Sequence, residues 1–268
     1  MNKHMNKHLL IAVPFALALA GCNAQGESTA QAPAAEVAVA APKGSTPSSA
    51  VPQKPPAKKV LVAKVGKPAP GKPDPKYKVV DEADPRMPPE LIAALKKVKV
   101  SPPPAAMTIP KKARVRLSTS KGQITVELNE AAAPLHVKSF LYLTKRGFFD
   151  NTVLHRYEPG FVIQGGDPLS KNPKLKDFFG TGGPGYQIPR EKNSLKHDKL
   201  VLAAARSQDP DSAGSQFYIT LAEAAFLDEG DGYTVFGKVV SGGDNVLKLR
   251  AGDKLTKAAL IATPKKPA

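Results

Sequence analysis

Between residues 113 and 128 apolar and polar side chains alternate on both sides of Lys121-Gly122, in ARVRLSTSKGQITVEL. That is the pattern of a hairpin with one buried face. The period then changes. Ala133-Pro134 opens a stretch that places Val137, Phe140, Leu141 and Leu143 or Thr144 on one helical face, with Pro134 suited to the first turn and Gly147 ending it. Beyond it, short apolar runs broken by Gly, Pro and Asp predict strands at residues 152–156, 161–164, 200–205, 216–220 and 233–240, and a weaker helix over about 244–250. Many short strands with few helices make the chain mainly β, an antiparallel barrel or a sandwich.

Before residue 113 this patterning is missing. Residues 22–112 are rich in Pro, Ala, Lys and Ser, as in TPSSAVPQKPPAKK and KVGKPAPGKPDPKYK. So few large apolar residues do not offset the entropy of ordering, and the expectation is a disordered, Pro-extended tether. One island, residues 88–100, reads as a brief amphipathic helix opened by Pro88-Pro89-Glu90 that either docks on the domain or frays, with fraying favoured. Residues 1–21 carry Lys3 and Lys7 ahead of an apolar run over 9–20, the form of an export signal too short to span a membrane. The run ends in Leu19-Ala20-Gly21-Cys22, which matches the bacterial lipobox. That match implies a lipoprotein signal peptide, lipidation at Cys22 and attachment to a membrane without a spanning helix. Asn23 then favours the outer membrane, with the protein facing the periplasm. The repeated MNKH leaves Met1 or Met5 as the start.

Charge and cysteine content narrow the chemistry. The chain has a formal net charge of +16 and a single Cys, so nothing folded depends on a disulfide or a thiol. Much of the Lys excess sits in the tether without an aromatic stacking platform, which argues for a solvated linker and against nucleic acid. His136, His155 and His197 lack Cys partners and compact spacing, so no metal is expected. GTGGPG at residues 180–185 lacks the Lys-Ser or Lys-Thr of a phosphate loop, and no cofactor is expected.

The stretch LHRYEPGFVIQGGDP, residues 154–168, groups a cation, Arg156, and an amide, Gln164, around Phe161 and Val162, with Gly160, Gly165 and Gly166 permitting tight backbone geometry. Alone it fits two strands joined by a turn as well as a recognition surface. It is followed in order by GTGGPGY at 180–186, AGSQFYIT at 213–220, FLD at 226–228 and VFGKVV at 235–240. Together these motifs resemble the cyclophilins, peptidyl-prolyl cis-trans isomerases, and most closely their bacterial periplasmic branch, over about residues 113–250. The resemblance selects a closed eight-stranded antiparallel barrel capped by two helices, a cyclophilin-like domain over 113–263, and a monomer acting on proline-containing unfolded or exported polypeptides. It makes Arg156 the catalytic arginine. It puts Phe161, Val162, Tyr218 and Leu227 around the proline ring, Gln164 on the peptide backbone, and Gln216 with the backbone of Ala205 and Arg206 in the groove for preceding residues. His155 is expected to brace the barrel by a hydrogen bond and Asp167 to fix the turn after Gly165-Gly166.

Some positions depart from the family pattern. Val162 stands where many members have Met, and Arg206 where they have Asn. Tyr233 replaces a His near the pocket. Phe226 replaces the Trp that donates to cyclosporin, and Phe has no donor, so weak binding of that drug is implied. The loop over 209–214 is one residue longer than in eukaryotic members. An alternative on the same scaffold is a proline-binding chaperone or assembly factor in which turnover is incidental.

Overall fold

A computed structural model describes residues 71–80 and 87–261, all within one compact unit. The expected signal peptide, Cys22 and most of the expected tether lie outside the described residues. In chain order the elements are β1 (Lys78–Val79), α1 (Pro89–Val98), β2 (Arg114–Thr119), β3 (Gly122–Leu128), α2 (Pro134–Lys145), β4 (Thr152–Val153), β5 (Arg156–Glu158) and β6 (Val162–Gly165). There follow 3-10 turns at Pro168–Lys171 and Pro173–Phe178, β7 (Tyr186–Gln187), β8 (Val201–Ala204), β9 (Phe217–Thr220) and a further 3-10 turn at Ala225–Asp228. β10 (Val235–Ser241), α3 (Gly243–Lys248) and β11 (Lys254–Ile261) complete it.

The hairpin read from alternation is β2–β3, paired from Arg114↔Glu127 to Thr119↔Gly122. All ladder pairs in the main sheet are antiparallel, and its nine strands run β4-β11-β2-β3-β10-β8-β9-β6-β5. The expected closed eight-stranded barrel is therefore corrected: the sheet is curled and open between β4 and β5. The predicted strand over 152–156 divides there, because Leu154 leaves the ladder to donate its N–H to Asp253 O at 2.8 Å and to accept from Gly252 N at 2.9 Å. The edge strands are thus joined by residues 154–155 of the chain instead of by a ladder. β11 escaped the sequence reading, since a register shift between Leu255 and Lys257 breaks its alternation.

Inside the curl, Phe140 of α2 meets Phe149, Phe217 and Phe236 with ring centroids 5.0, 5.6 and 5.5 Å apart. Phe149, Phe217 and Leu143 are almost fully buried, so this aromatic group anchors α2 and β9 together. It is the fixed platform behind the site.

The segment before residue 113 departs most from expectation. Residues 71–80 and 87–112 pack against the sheet domain, so the reading of 22–112 as one disordered tether is corrected for this part of it. The two-residue β1 pairs with β7, and Val100 N donates to Pro184 O at 2.8 Å. α1 does not fray but buries Leu91 against Leu169 and Leu175, with Leu95, Phe178 and Phe179 alongside. Tyr77 is buried and donates its hydroxyl to Leu135 O at 2.8 Å. Lys138 of α2, also buried, donates to Asp74 Oδ2 and Ala105 O, each at 2.9 Å. A few anchors spaced along a Pro-rich segment suffice because Pro already restricts the unfolded chain. Composition averaged over the segment hides them.

Candidate active site

Arg156 opens β5 opposite Gln164 of β6, and Gln164 in turn lies opposite Tyr218 of β9. The alternation of strand side chains therefore puts the cation and the amide on one face of adjoining strands. Half-exposed, Arg156 holds two long contacts, Nε to Glu158 Oε1 at 3.3 Å and Nη1 to Gln164 Oε1 at 3.4 Å. Both are near the limit of a hydrogen bond, and Nη2 has no partner among the described residues. Its fork faces outward as a donor.

A one-way series of donations fixes the amides. Gln164 Nε2 donates to Gln216 Oε1 at 3.0 Å, and Gln216 Nε2 donates to Gly180 O at 2.8 Å and Gly182 O at 2.9 Å. Each link polarises the next in the same sense, from the guanidinium to two loop carbonyls. The loop is held from beneath by Asp167, fully buried, which accepts from the backbone N–H of Gly180, of Gly182 at 3.3 Å, and of Leu169 at 2.7 Å. Asp167 therefore fixes not only its own turn, as expected, but also the 180–182 loop. Gly182 is obligatory for packing, because a Cβ there would collide with the Asp167 carboxylate. Gly166, at φ +87°, adopts the left-handed conformation that brings this turn against Ser215 O.

Beside the strand pair that carries the cation lies an apolar cluster. Val162, Val201, Ala203, Tyr218, Ala224, Leu227 and Val235 form one buried cluster, with Phe161, Ala205 and Tyr233 packed against it. Phe226 is 61% exposed and its ring lies 5.3 Å from that of Phe161, so together they make an open aromatic rim. Tyr218 meets Tyr233 edge to face at 6.1 Å. Burial foremost, then the neighbouring Tyr233, pushes the Tyr218 phenol far above its ordinary range, so it stays a neutral hydroxyl. The structure thus assembles Arg156, Phe161, Val162, Gln164, Gln216, Tyr218, Phe226, Leu227 and Tyr233 at one place.

The Arg206 guanidinium lies 4.3 Å over the Tyr233 ring and its Nη2 donates to Gly232 O at 2.9 Å, which ties residue 206 to the 232–233 turn. The neighbouring Ala205 N donates to Gln216 O at 3.0 Å. Both His155 ring nitrogens are buried without a hydrogen bond of good geometry, close to the backbone of Val153 and the side chain of Gln216. Burial lowers its pKa, partly opposed by the Asp167 carboxylate. His136 pairs with Glu191 at 2.7 Å and His197 with Asp228 at 2.6 Å, at different places in the fold. Sequence reasoning missed Glu158, although its spacing of two from Arg156 on a strand would have placed both on one face. It also missed that His197 lies between Tyr218 and Asp228.

A curled antiparallel sheet thus bears an outward guanidinium, an amide held by a series of hydrogen bonds, and an apolar cluster beside them. A sequence profile described as cyclophilin type peptidyl-prolyl cis-trans isomerase/CLD matches residues 114–265. Peptidyl-prolyl cis-trans isomerase A of Dickeya dadantii is 39% identical over 156 residues, covering 57% of this chain and 77% of that protein. Peptidyl-prolyl cis-trans isomerase cyp18 of Streptomyces antibioticus is 40% identical over 139 residues, 49% of this chain and 80% of that protein. Among solved structures, a cyclophilin type peptidyl-prolyl cis-trans isomerase of Cryptosporidium parvum aligns with a TM-score of 0.50 at 28% identity, over 57% of this chain and 99% of that one. The chain belongs to the cyclophilin-type peptidyl-prolyl cis-trans isomerase family, and its reaction is rotation about the Xaa-Pro peptide bond.

Proposed function

We propose that Arg156 is the catalytic group and that the slot bounded by Phe161, Val162, Tyr218 and Leu227 holds the proline ring. Amide resonance sets a barrier of roughly 18 to 20 kcal/mol for the uncatalysed rotation. No bond breaks, so neither nucleophile nor general base is needed. Only the twisted amide, in which resonance is lost and the prolyl nitrogen gains basic character, has to be held more tightly than either planar isomer. Each 1.36 kcal/mol of that preference gives about tenfold, so about 7 kcal/mol supplies about five orders of magnitude.

The observation that carries this reading is the free donor edge of Arg156 beside the slot. Gln164, itself oriented by Gln216 and the loop carbonyls, meets the guanidinium at a long 3.4 Å and presents its amide along the bound backbone. A donor fixed before the substrate arrives needs little reorganisation as charge develops on the prolyl nitrogen. Arg206 and Tyr233 bound the groove for residues preceding the proline. In an NMR exchange experiment on a Xaa-Pro peptide, catalytic amounts of the purified protein accelerate exchange and Arg156→Ala removes most of the acceleration. Binding without acceleration by the unmodified protein supports a proline-recognition module instead.

The cellular setting belongs to the same proposal. A lipobox ending at Cys22 and a Pro-rich stretch before the packed segment support a lipoprotein of the bacterial periplasmic branch, anchored to the outer membrane and assisting the folding of exported proteins. Metabolic labelling with palmitate tests it. Label in the natural chain and none in Cys22→Ser is expected; equal label in both overturns the anchor.

A further inference from the structure

Behind the slot, three side chains form a buried series. Tyr218 of β9 lies in the wall of the slot, and its hydroxyl is 2.8 Å from His197 Nε2. His197 Nδ1 is 2.6 Å from Asp228 Oδ1, at the end of the 3-10 turn that also carries Phe226 and Leu227. An ionised carboxylate only accepts, so Nδ1 carries the proton. In the neutral imidazole Nε2 is then the acceptor, and the Tyr218 hydroxyl donates to it.

His197 therefore bridges the two walls of the slot. Its backbone reinforces the bridge: His197 N donates to Asp228 Oδ1 at 3.2 Å, and Ala224 N donates to His197 O at 2.8 Å. The imidazole is wholly buried and stacks on the Tyr218 ring with centroids 5.9 Å apart. Two cations stand near the series: Lys196 Nζ is 3.8 Å from Asp228 Oδ2 at the surface, and the Arg206 guanidinium acts on the Tyr218 hydroxyl from the side of Tyr233.

We propose that His197 and Asp228 are positioning residues that set the width of the proline slot, by holding the Tyr218 ring at a fixed distance from the turn bearing Phe226 and Leu227. This deepens the reading of the slot and rests on it. The geometry separates two kinds of effect. Arg156 acts on the twisted amide, so its loss lowers turnover, whereas a slot wall grips the ring equally in every state of the peptide. Losing the bridge therefore weakens binding with little change in turnover on the enzyme. A wall that is no longer held also discriminates less sharply between rings of different size.

The test uses NMR exchange during titration with an Ala-Pro peptide and with its six-ring pipecolyl analogue, which gives affinity and on-enzyme exchange rate separately. In the unmodified protein the His197 ring carries its proton on Nδ1 and the Tyr218 hydroxyl proton exchanges slowly with solvent. A proton on Nε2 alone, or a freely exchanging hydroxyl, overturns the proposal without any variant. His197→Asn keeps a donor toward Asp228 but has nothing at the position of Nε2. It is expected to bind the prolyl peptide about three- to tenfold more weakly, at an on-enzyme rate within about twofold, with reduced preference for proline over the six-membered ring. Asp228→Ala, which leaves no acceptor for His197 Nδ1, gives the same pattern and decides the matter if His197→Asn does not fold. Unchanged affinity and ring preference in a folded variant, or a fall in rate at constant affinity, overturns the assignment. Retention of turnover by Arg156→Ala is a separate outcome, and it overturns the reading of the site itself.

Discussion

Replacing Lys138 by Met tests whether the segment before residue 113 is part of the folded enzyme. Lys138 Nζ and Asp74 Oδ2 are 2.9 Å apart, and their side chains are only 9% and 10% exposed. At an effective dielectric of about 20, that separation corresponds to about 6 kcal/mol of attraction. Desolvating the two ions costs several kcal/mol each, so the pair is close to neutral overall. Removing one partner is different, because the desolvation remains and the attraction goes. Asp74 would keep only the backbone N–H of Lys76, at 3.1 Å. A loss of about 3 kcal/mol is expected, which for a folded unit of this size lowers Tm by about 6 to 12 °C. Asp74→Leu together with Lys138→Met should recover most of that loss, and Lys97→Met on the exposed face of α1 should change Tm by less than about 2 °C. Hydrogen exchange adds a local readout: in Lys138→Met the amides of Ala105 and Val100, bonded to Lys72 O and Pro184 O, lose protection. If Lys138→Met changes neither Tm nor exchange of these amides, the segment does not dock through this pair and the reasoning fails.

The remaining predictions concern the site. Burial lowers the pKa of His155 below its ordinary 6.5, so above that pH neither the folded nor the unfolded chain binds its proton. As pH falls below 6.5 the unfolded chain takes up a proton that the folded chain resists, and stability declines by at most about 1.4 kcal/mol per pH unit until the folded pKa is reached. Denaturant titrations at several pH values should show His155→Gln with a shallower dependence as pH falls below 6.5; parallel curves contradict the burial argument. Phe226→Trp supplies the indole donor that the aromatic rim lacks, in a chain with no other Trp. A titration followed by Trp fluorescence should show cyclosporin binding more tightly than to the natural chain, whose binding is measured by competition. Equal affinities refute the explanation from the missing donor.

Much of the sheet was legible because strands with one buried face alternate cleanly, as β2 and β3 do. Leu154 and β11 show where that signal stops: a side branch to Asp253 and Gly252 divides one predicted strand, and a bulge scrambles the alternation of the other. Neither leaves a trace in local composition. The site residues were legible from motif order, which places Arg156, Gln164, Gln216 and Tyr218 together without saying how they touch. His197 was visible only as a histidine without metal partners, since its role depends on Tyr218 and Asp228, which the fold brings in from other elements. The docked segment was the largest miss. Tyr77, Asp74 and Leu91 are single anchors in Pro- and Lys-rich surroundings, and the buried Lys138 that answers Asp74 looks on the sequence like any helical surface lysine.

The account turns on whether Arg156 stabilises the twisted amide. The most direct measurement is the on-enzyme cis-trans exchange rate of a saturating Xaa-Pro peptide, compared between the natural protein and Arg156→Ala by NMR exchange spectroscopy. A fall of about a hundredfold or more at little-changed affinity is predicted, in line with removal of one fixed donor from a developing charge. An unchanged exchange rate in a folded Arg156→Ala protein would contradict the central claim.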